Sequence, residues 1–118
     1  MHKRILLVED DAATRSGLSM LLERAGYDVF ATADVLEGQR MLDEAPPDLL
    51  IADVRLGAYN GLQLIAMSLQ HIPAIVITGF PDPVLEADAR QFGAQFLIKP
   101  IEPAELLTLV KELLRDDS

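Results

Sequence analysis

Residues 3–31 read KRILLVEDDAATRSGLSMLLERAGYDVFA, and this stretch decides the fold. It opens with an apolar run, Lys3 to Val8, whose charged start and continuous Ile-Leu-Leu-Val suit a strand buried on both faces. Leu18, Leu21, Leu22 and Ala25 then recur at the i, i+3, i+4, i+7 spacing of one helix face, so the chain from Ala12 to Ala25 is expected to be helical. Gly26 stands where the residue after a helix needs positive φ. Tyr27 to Ala31 is a second, shorter strand. Strand, helix and strand within 29 residues make a βαβ unit, which implies a parallel sheet.

The pattern repeats along the rest of the chain. Asp34 and Glu37 have capping-box spacing and open a second helix that ends before Pro46-Pro47. Asp48 to Ala52 is the third strand, and a helix from about Gly61 to Gln70 follows it. Ala74 to Ile77 is the fourth strand. Asp82 and Pro83 form an N-cap followed by proline at the first helical position. That helix runs to Phe92 and is closed by Gly93. Gln95 to Ile98 is the fifth strand, and Pro103 opens a last helix to about Arg115. The expected fold is α/β: a flavodoxin-like (βα)5 doubly wound, five-stranded parallel sheet of strand order 2-1-3-4-5.

The 118 residues are a one-domain length, so residues 1–118 are read as a single domain. A chain of this size buries roughly two-thirds of its unfolded surface. Half the residues are hydrophobic and a quarter charged, which excludes disorder as the main state. With no cysteine there is no disulfide framework. No apolar run approaches the ~18 residues of a membrane span, so no membrane association and a cytoplasmic location are expected. Nineteen acidic against ten basic residues give a net charge of −9, a surface that repels a phosphate backbone and argues against direct nucleic-acid binding.

In the 2-1-3-4-5 order the switch point lies between strands one and three, and ligands bind outside the carboxyl ends of the strands beside it. Strand one is followed there by Glu9, Asp10 and Asp11, and strand three by Asp53. Strand four ends in Thr78-Gly79 and strand five in Lys99-Pro100. Strand two, at the edge, ends in plain Ala31-Thr32. Two carboxylates about 4 Å apart repel by about 4 kcal/mol at an effective dielectric near 20. Glu9, Asp10 and Asp53 therefore require protons or a cation among them. Hard oxygen donors without histidine or cysteine favour Mg²⁺. With Lys99 as second cation and Thr78 as donor, these groups suit phosphoryl transfer onto a carboxylate.

The strings ILLVEDD (5–11), LLIADVRL (49–56) and FLIKP (96–100), in this order with Thr78 between, resemble the receiver domain of two-component response regulators over nearly the full length. The resemblance implies that Asp53 accepts the phosphoryl group, that Asp10 binds Mg²⁺ directly and Glu9 through water, and that the Arg55 carbonyl completes the metal ligands. It also implies an inward-turning Thr78 hydroxyl, a phosphoryl-binding Lys99 with a cis bond to Pro100, and Phe96 as a rotamer-switching aromatic, although plain core packing suits Phe96 equally. The implied partners are a histidine kinase or phosphotransfer protein, an output domain or target protein, and a second copy docking through the fourth helix, fifth strand and fifth helix. The product is a conformational state, so the domain is a signalling switch and not an enzyme in the usual sense. A receiver-like scaffold that binds partners without phosphorylation is the alternative.

Other classes fit less well. An aspartyl-phosphate phosphohydrolase needs a second Asp two residues after the nucleophile, where this chain has Arg55. A flavodoxin-type electron carrier needs a phosphate-binding first loop, and Glu9-Asp10-Asp11 would repel that phosphate. Asp11 is expected to cap the first helix. Gly79 removes a side chain that could block a phosphoryl group. Arg55 and Phe80 should flank the pocket, with Phe80 hindering the water that would hydrolyse phosphoaspartate. His2 and His71 are read as surface or structural, and Met67 and the other methionines as core filler. Leu107 and Leu114 lie off the Leu106, Leu109, Val110, Leu113 stripe of the last helix, where they pack on a neighbour or form an exposed partner face. The loop Leu56-Gly57-Ala58-Tyr59-Asn60-Gly61 lacks the family's usual proline, yet its Gly and Asn tolerate positive φ.

Overall fold

The computed structural model describes residues 2–56, 59–60, 64–65 and 72–115. Its elements are β1 (Arg4–Val8), α1 (Ala12–Arg24), β2 (Asp28–Thr32), α2 (Val35–Glu44), β3 (Leu49–Asp53), β4 (Arg55–Leu56), β5 (Tyr59–Asn60), β6 (Ala74–Thr78), α3 (Pro83–Gln91), β7 (Gln95–Ile98) and α4 (Pro103–Leu113). Leu64 and Ile65 are helical. The rest of the expected helix at 61–70, together with His71 and Met67, lies outside the described residues. Five strands form one parallel sheet in the order β2-β1-β3-β6-β7, which is 2-1-3-4-5 for the five strands expected. The antiparallel pair β4–β5 was not expected; it occupies the loop after Asp53.

Alternation along the strands sends side chains to two separate cores. Leu6, Val8, Leu50, Ala52 and Val76 pack with Val35 and Leu42 of α2 and Ala89 of α3. Ile5, Leu7, Ile51, Ile75 and Ile77 face the other way, onto Leu18 and Leu22 of α1 and Leu106 and Val110 of α4. Helices thus cover both faces, and β3 and β6 are buried at every residue. Each buried Val, Leu or Ile among them contributes about 1.5–3 kcal/mol by leaving water.

The helix ends follow the expected chemistry. Asp11 caps α1, accepting from the Thr14 N–H at 2.8 Å and its hydroxyl at 2.7 Å. Asp82 caps α3 by accepting from Val84 N at 2.9 Å, with Pro83 just inside. Gly26 and Gly93 carry φ of 99° and 77° after their helices, a region that penalises a Cβ. Asp34 caps α2 through Leu36 N, but its own N–H donates to Thr32 Oγ1 at 3.0 Å, so Thr32 takes the place expected of Glu37 in a capping box. The plain strand-end Thr32 thereby acquires a role, and it is buried.

One further reading changes and another is decided. Met20 is 53% exposed, so it is not core filler; it lies on the outer side of α1, while Met41 is half-buried against the core. Leu107 and Leu114 are half-buried against the core on the α1–α4 side, so they pack inward. A methyl at Gly79 would meet its nearest atom, Lys99 Cδ, at 3.9 Å, an ordinary contact.

Candidate functional site

The parallel register brings the carboxyl ends of the strands level. Val8 pairs with Ala52, Asp53 with Ile77, and Thr78 with Ile98, so Glu9, Asp53, Thr78 and Lys99 emerge along one edge of the sheet. The ladder reaches past the strands: Glu9 N donates to Thr32 O at 3.0 Å, Val54 N to Ile77 O at 2.9 Å, and Lys99 N to Thr78 O at 2.7 Å. The peptide between Lys99 and Pro100 is cis, as expected.

Lys99 joins the acids. Its Nζ lies 2.5 Å from Asp53 Oδ2 and 2.8 Å from Glu9 Oε1. Asp53 Oδ1 accepts from Arg55 N at 2.9 Å, and Glu9 Oε2 accepts from Asp11 N at 3.1 Å. Glu9 is fully buried and Asp53 nearly so, whereas Asp10 is exposed at the mouth. Burial pushes the Glu9 carboxyl above the usual 4.5; the Lys99 ammonium and the Asp11 N–H oppose that rise and nearby Asp53 adds to it. Burial alone would lower Lys99, but its bonds to Asp53 and Glu9 outweigh this and hold the ammonium above its ordinary 10.5. Asp11 is held below its ordinary 3.8, chiefly by the Thr14 hydroxyl and N–H.

One carboxylate oxygen from each of Glu9, Asp10 and Asp53 lies within 4.8 Å of the others. Two oxygens bound to one Mg²⁺ lie at most about 4.2 Å apart, twice the bond length, so a spread of 4.8 Å or less is near the reach of one ion, directly or through a water. Among the described residues, Glu9 Oε1 is the buried side-chain oxygen that accepts no well-oriented hydrogen bond, its ion pair with Lys99 notwithstanding. Three acids facing one ammonium, all with hard oxygen donors, fit a magnesium-type cation.

Thr78 is buried, and its Oγ1 accepts from Phe80 N at 3.1 Å in a local turn. Arg55 lays its guanidinium over the Phe80 ring, 4.3 Å from the centroid, a contact between the two residues that was not expected. Phe96 is half-buried against the core group that contains Val76 and Ala89. Two features of the site went unread in the sequence. Arg15 reaches back from α1 to the Glu9 carbonyl at 2.9 Å and the Asp10 carbonyl at 3.4 Å. A groove of about 780 Å³, lined by Gly17, Leu18, Met20, Leu21 and Ile101, runs along α1 and ends at Lys99. The helical spacing of Leu18 and Leu21 was legible, but not the element facing them.

Known proteins resemble this chain in sequence and fold. The aerobic respiration control protein ArcA of Escherichia coli K12 is 35% identical over 114 residues, covering 93% of this chain and 48% of that protein. The chain thus spans about half of ArcA's length. The polar-differentiation response regulator DivK of Brucella anthropi is 30% identical, with 98% of this chain and 99% of DivK covered. A CheY-like receiver domain protein from Methanospirillum hungatei superposes with a TM-score of 0.91 at 29% identity, over 97% of this chain and 94% of its own. The family model for the response regulator receiver domain matches residues 5–111. With sheet order, acidic cluster and full-length relatives in agreement, the chain belongs to the response regulator receiver family.

Proposed function

We propose that residues 1–118 form one receiver unit in which Asp53 accepts a phosphoryl group from a histidine kinase or phosphotransfer protein. The observation that carries this reading is Lys99, which bridges buried Asp53 and Glu9 while Asp10 stands within reach of both. In the transfer, an Asp53 oxygen forms a bond to phosphorus as the donor's P–N bond breaks and the electron pair stays on the donor nitrogen. The Arg55 N–H orients the carboxylate. Lys99 is close enough to follow the charge from the carboxylate to a phosphoryl oxygen.

Glu9, Asp10, Asp53 and the Arg55 carbonyl would hold Mg²⁺, with Glu9 acting through water. When bound, the ion supplies positive charge that neutralises the phosphoryl oxygens. The product adds nearly two negative charges at the sheet edge. Thr78 would exchange its bond with Phe80 N for one to the phosphoryl group. Phe96 and the surface of α3, β7 and α4 would respond, altering contacts with an output domain, a target protein or a second copy. Receiver domains are regulatory switches rather than classical enzymes. A cytoplasmic location suits a kinase-fed switch, and no described helix is long and apolar enough to cross a membrane. The apolar groove shares Lys99 with the acceptor site, so a donor protein bringing its phosphohistidine to Asp53 would lie along it.

Incubation with Mg²⁺ and a small acyl phosphate, read by intact mass, tests the reading. Wild type should gain one phosphoryl group, and Asp53→Ala or chelator-treated protein should gain none. An unmodified wild type would favour the alternative, a scaffold that works by binding alone.

A further inference from the structure

Glu9 and Asp10 lie beyond the last residue of β1 and before the first of α1, where neither strand nor helix fixes both of their peptide planes. The Glu9 N–H is tied to Thr32 O, and its carbonyl and that of Asp10 accept from the Arg15 side chain. Both carbonyls face a single nitrogen, Arg15 Nη1, at 2.9 and 3.4 Å. Arg15 is itself anchored in the first turn of α1, where its N–H donates to Asp11 O at 2.9 Å. The guanidinium therefore links the start of α1 to the two peptides that aim the Glu9 and Asp10 side chains.

We infer that Arg15 is a positioning residue for the cation site, holding the Glu9-Asp10 backbone so that both carboxylates converge with Asp53. The inference rests on the magnesium reading above. Removing a partner that orients metal ligands commonly weakens binding about 10- to 100-fold. Charge alone predicts the opposite sign, because a guanidinium beside a divalent-cation site repels the ion, and its removal should tighten binding. The two effects are thus separated by direction.

The experiment is a calorimetric Mg²⁺ titration of wild type, Arg15→Ala and Arg15→Lys, with thermal melts of each metal-free protein. The expected result is binding about tenfold weaker in Arg15→Ala. Arg15→Lys, whose ammonium can reach the same carbonyls, should recover part of the loss, and the metal-free melting temperatures should stay close together. Equal or tighter binding by Arg15→Ala overturns the inference, as does a loss that merely tracks unfolding of the metal-free variant. A wild type that binds no Mg²⁺ would instead overturn the magnesium reading itself.

Discussion

Replacing Lys99 by methionine keeps most of the side-chain volume and removes the charge between two buried acids. Glu9 and Asp53 carry oxygens no more than 4.8 Å apart, so two anions there repel by at least about 3.5 kcal/mol at an effective dielectric near 20. The penalty has a ceiling, because Glu9 can take up a proton. From its ordinary value of 4.5, protonation costs about 1.4 kcal/mol per pH unit, hence about 3.4 kcal/mol at pH 7 and about 1.4 kcal/mol at pH 5.5. The sign follows from linkage. A carboxyl whose folded value is raised favours the fold at low pH, and that contribution is lost as pH rises through the raised value. Lys99 in wild type stays charged throughout this window, its value lying above 10.5. For a chain of this length each kcal/mol shifts the melting temperature by about 3–6 °C. Lys99→Met should therefore melt about 10–20 °C below wild type at pH 7 and about 4–8 °C below it at pH 5.5. Thermal melts in chelator-treated buffer read this directly, and adding Glu9→Gln should restore most of the loss at pH 7. A deficit that is equal at both pH values, or a double variant no more stable than Lys99→Met, would refute the reasoning.

Three other outcomes are expected. Gly17→Ala, with open space around the new methyl, should stabilise α1 by about 0.5–1 kcal/mol, whereas Gly38→Ala would push a Cβ to 3.0 Å from Val8 Cγ2 in the core and should cost about 1 kcal/mol; denaturant titration separates the two signs. Phe80→Ala removes the ring beneath Arg55, a stack worth about 0.5–1 kcal/mol, and should speed loss of the phosphoryl group about two- to fivefold after donor removal; an unchanged or longer lifetime would dismiss Phe80 as a barrier to water. Mg²⁺ affinity should fall as pH drops from about 8 to about 5, beginning above the ordinary carboxylate value because buried Glu9 must lose its proton to face the ion; flat binding through that window would count against Glu9 as part of the cation site.

Most of the architecture could be read from local patterns, because buried parallel strands are short apolar runs and their helices carry visible caps. Glu9, Asp53 and Lys99 were legible for the same reason: each follows an apolar run whose end marks the sheet edge. What escaped depends on reach. Arg4 donates to the carbonyls of Ala45 and Pro46 at the end of α2, more than forty residues away, and Arg15 folds back to Glu9 and Asp10. Long guanidinium side chains have many rotamers, and only the packed tertiary structure selects one. The β4–β5 pair escaped because two-residue strands leave no periodicity to detect. Met20 was misassigned because its apolar character does not indicate which side of α1 it occupies.

The three amides that extend the ladder past Val8, Asp53 and Ile98 have a dynamic consequence. Each seats a site residue, or its immediate neighbour, on the adjacent strand, so the base of the pocket cannot breathe apart from the sheet. Deuterium should enter at Glu9, Val54 and Lys99 only when the whole sheet opens, as slowly as at the centre of β3. Whatever moves when the domain changes state must then lie above this floor, in the segments that leave the strands.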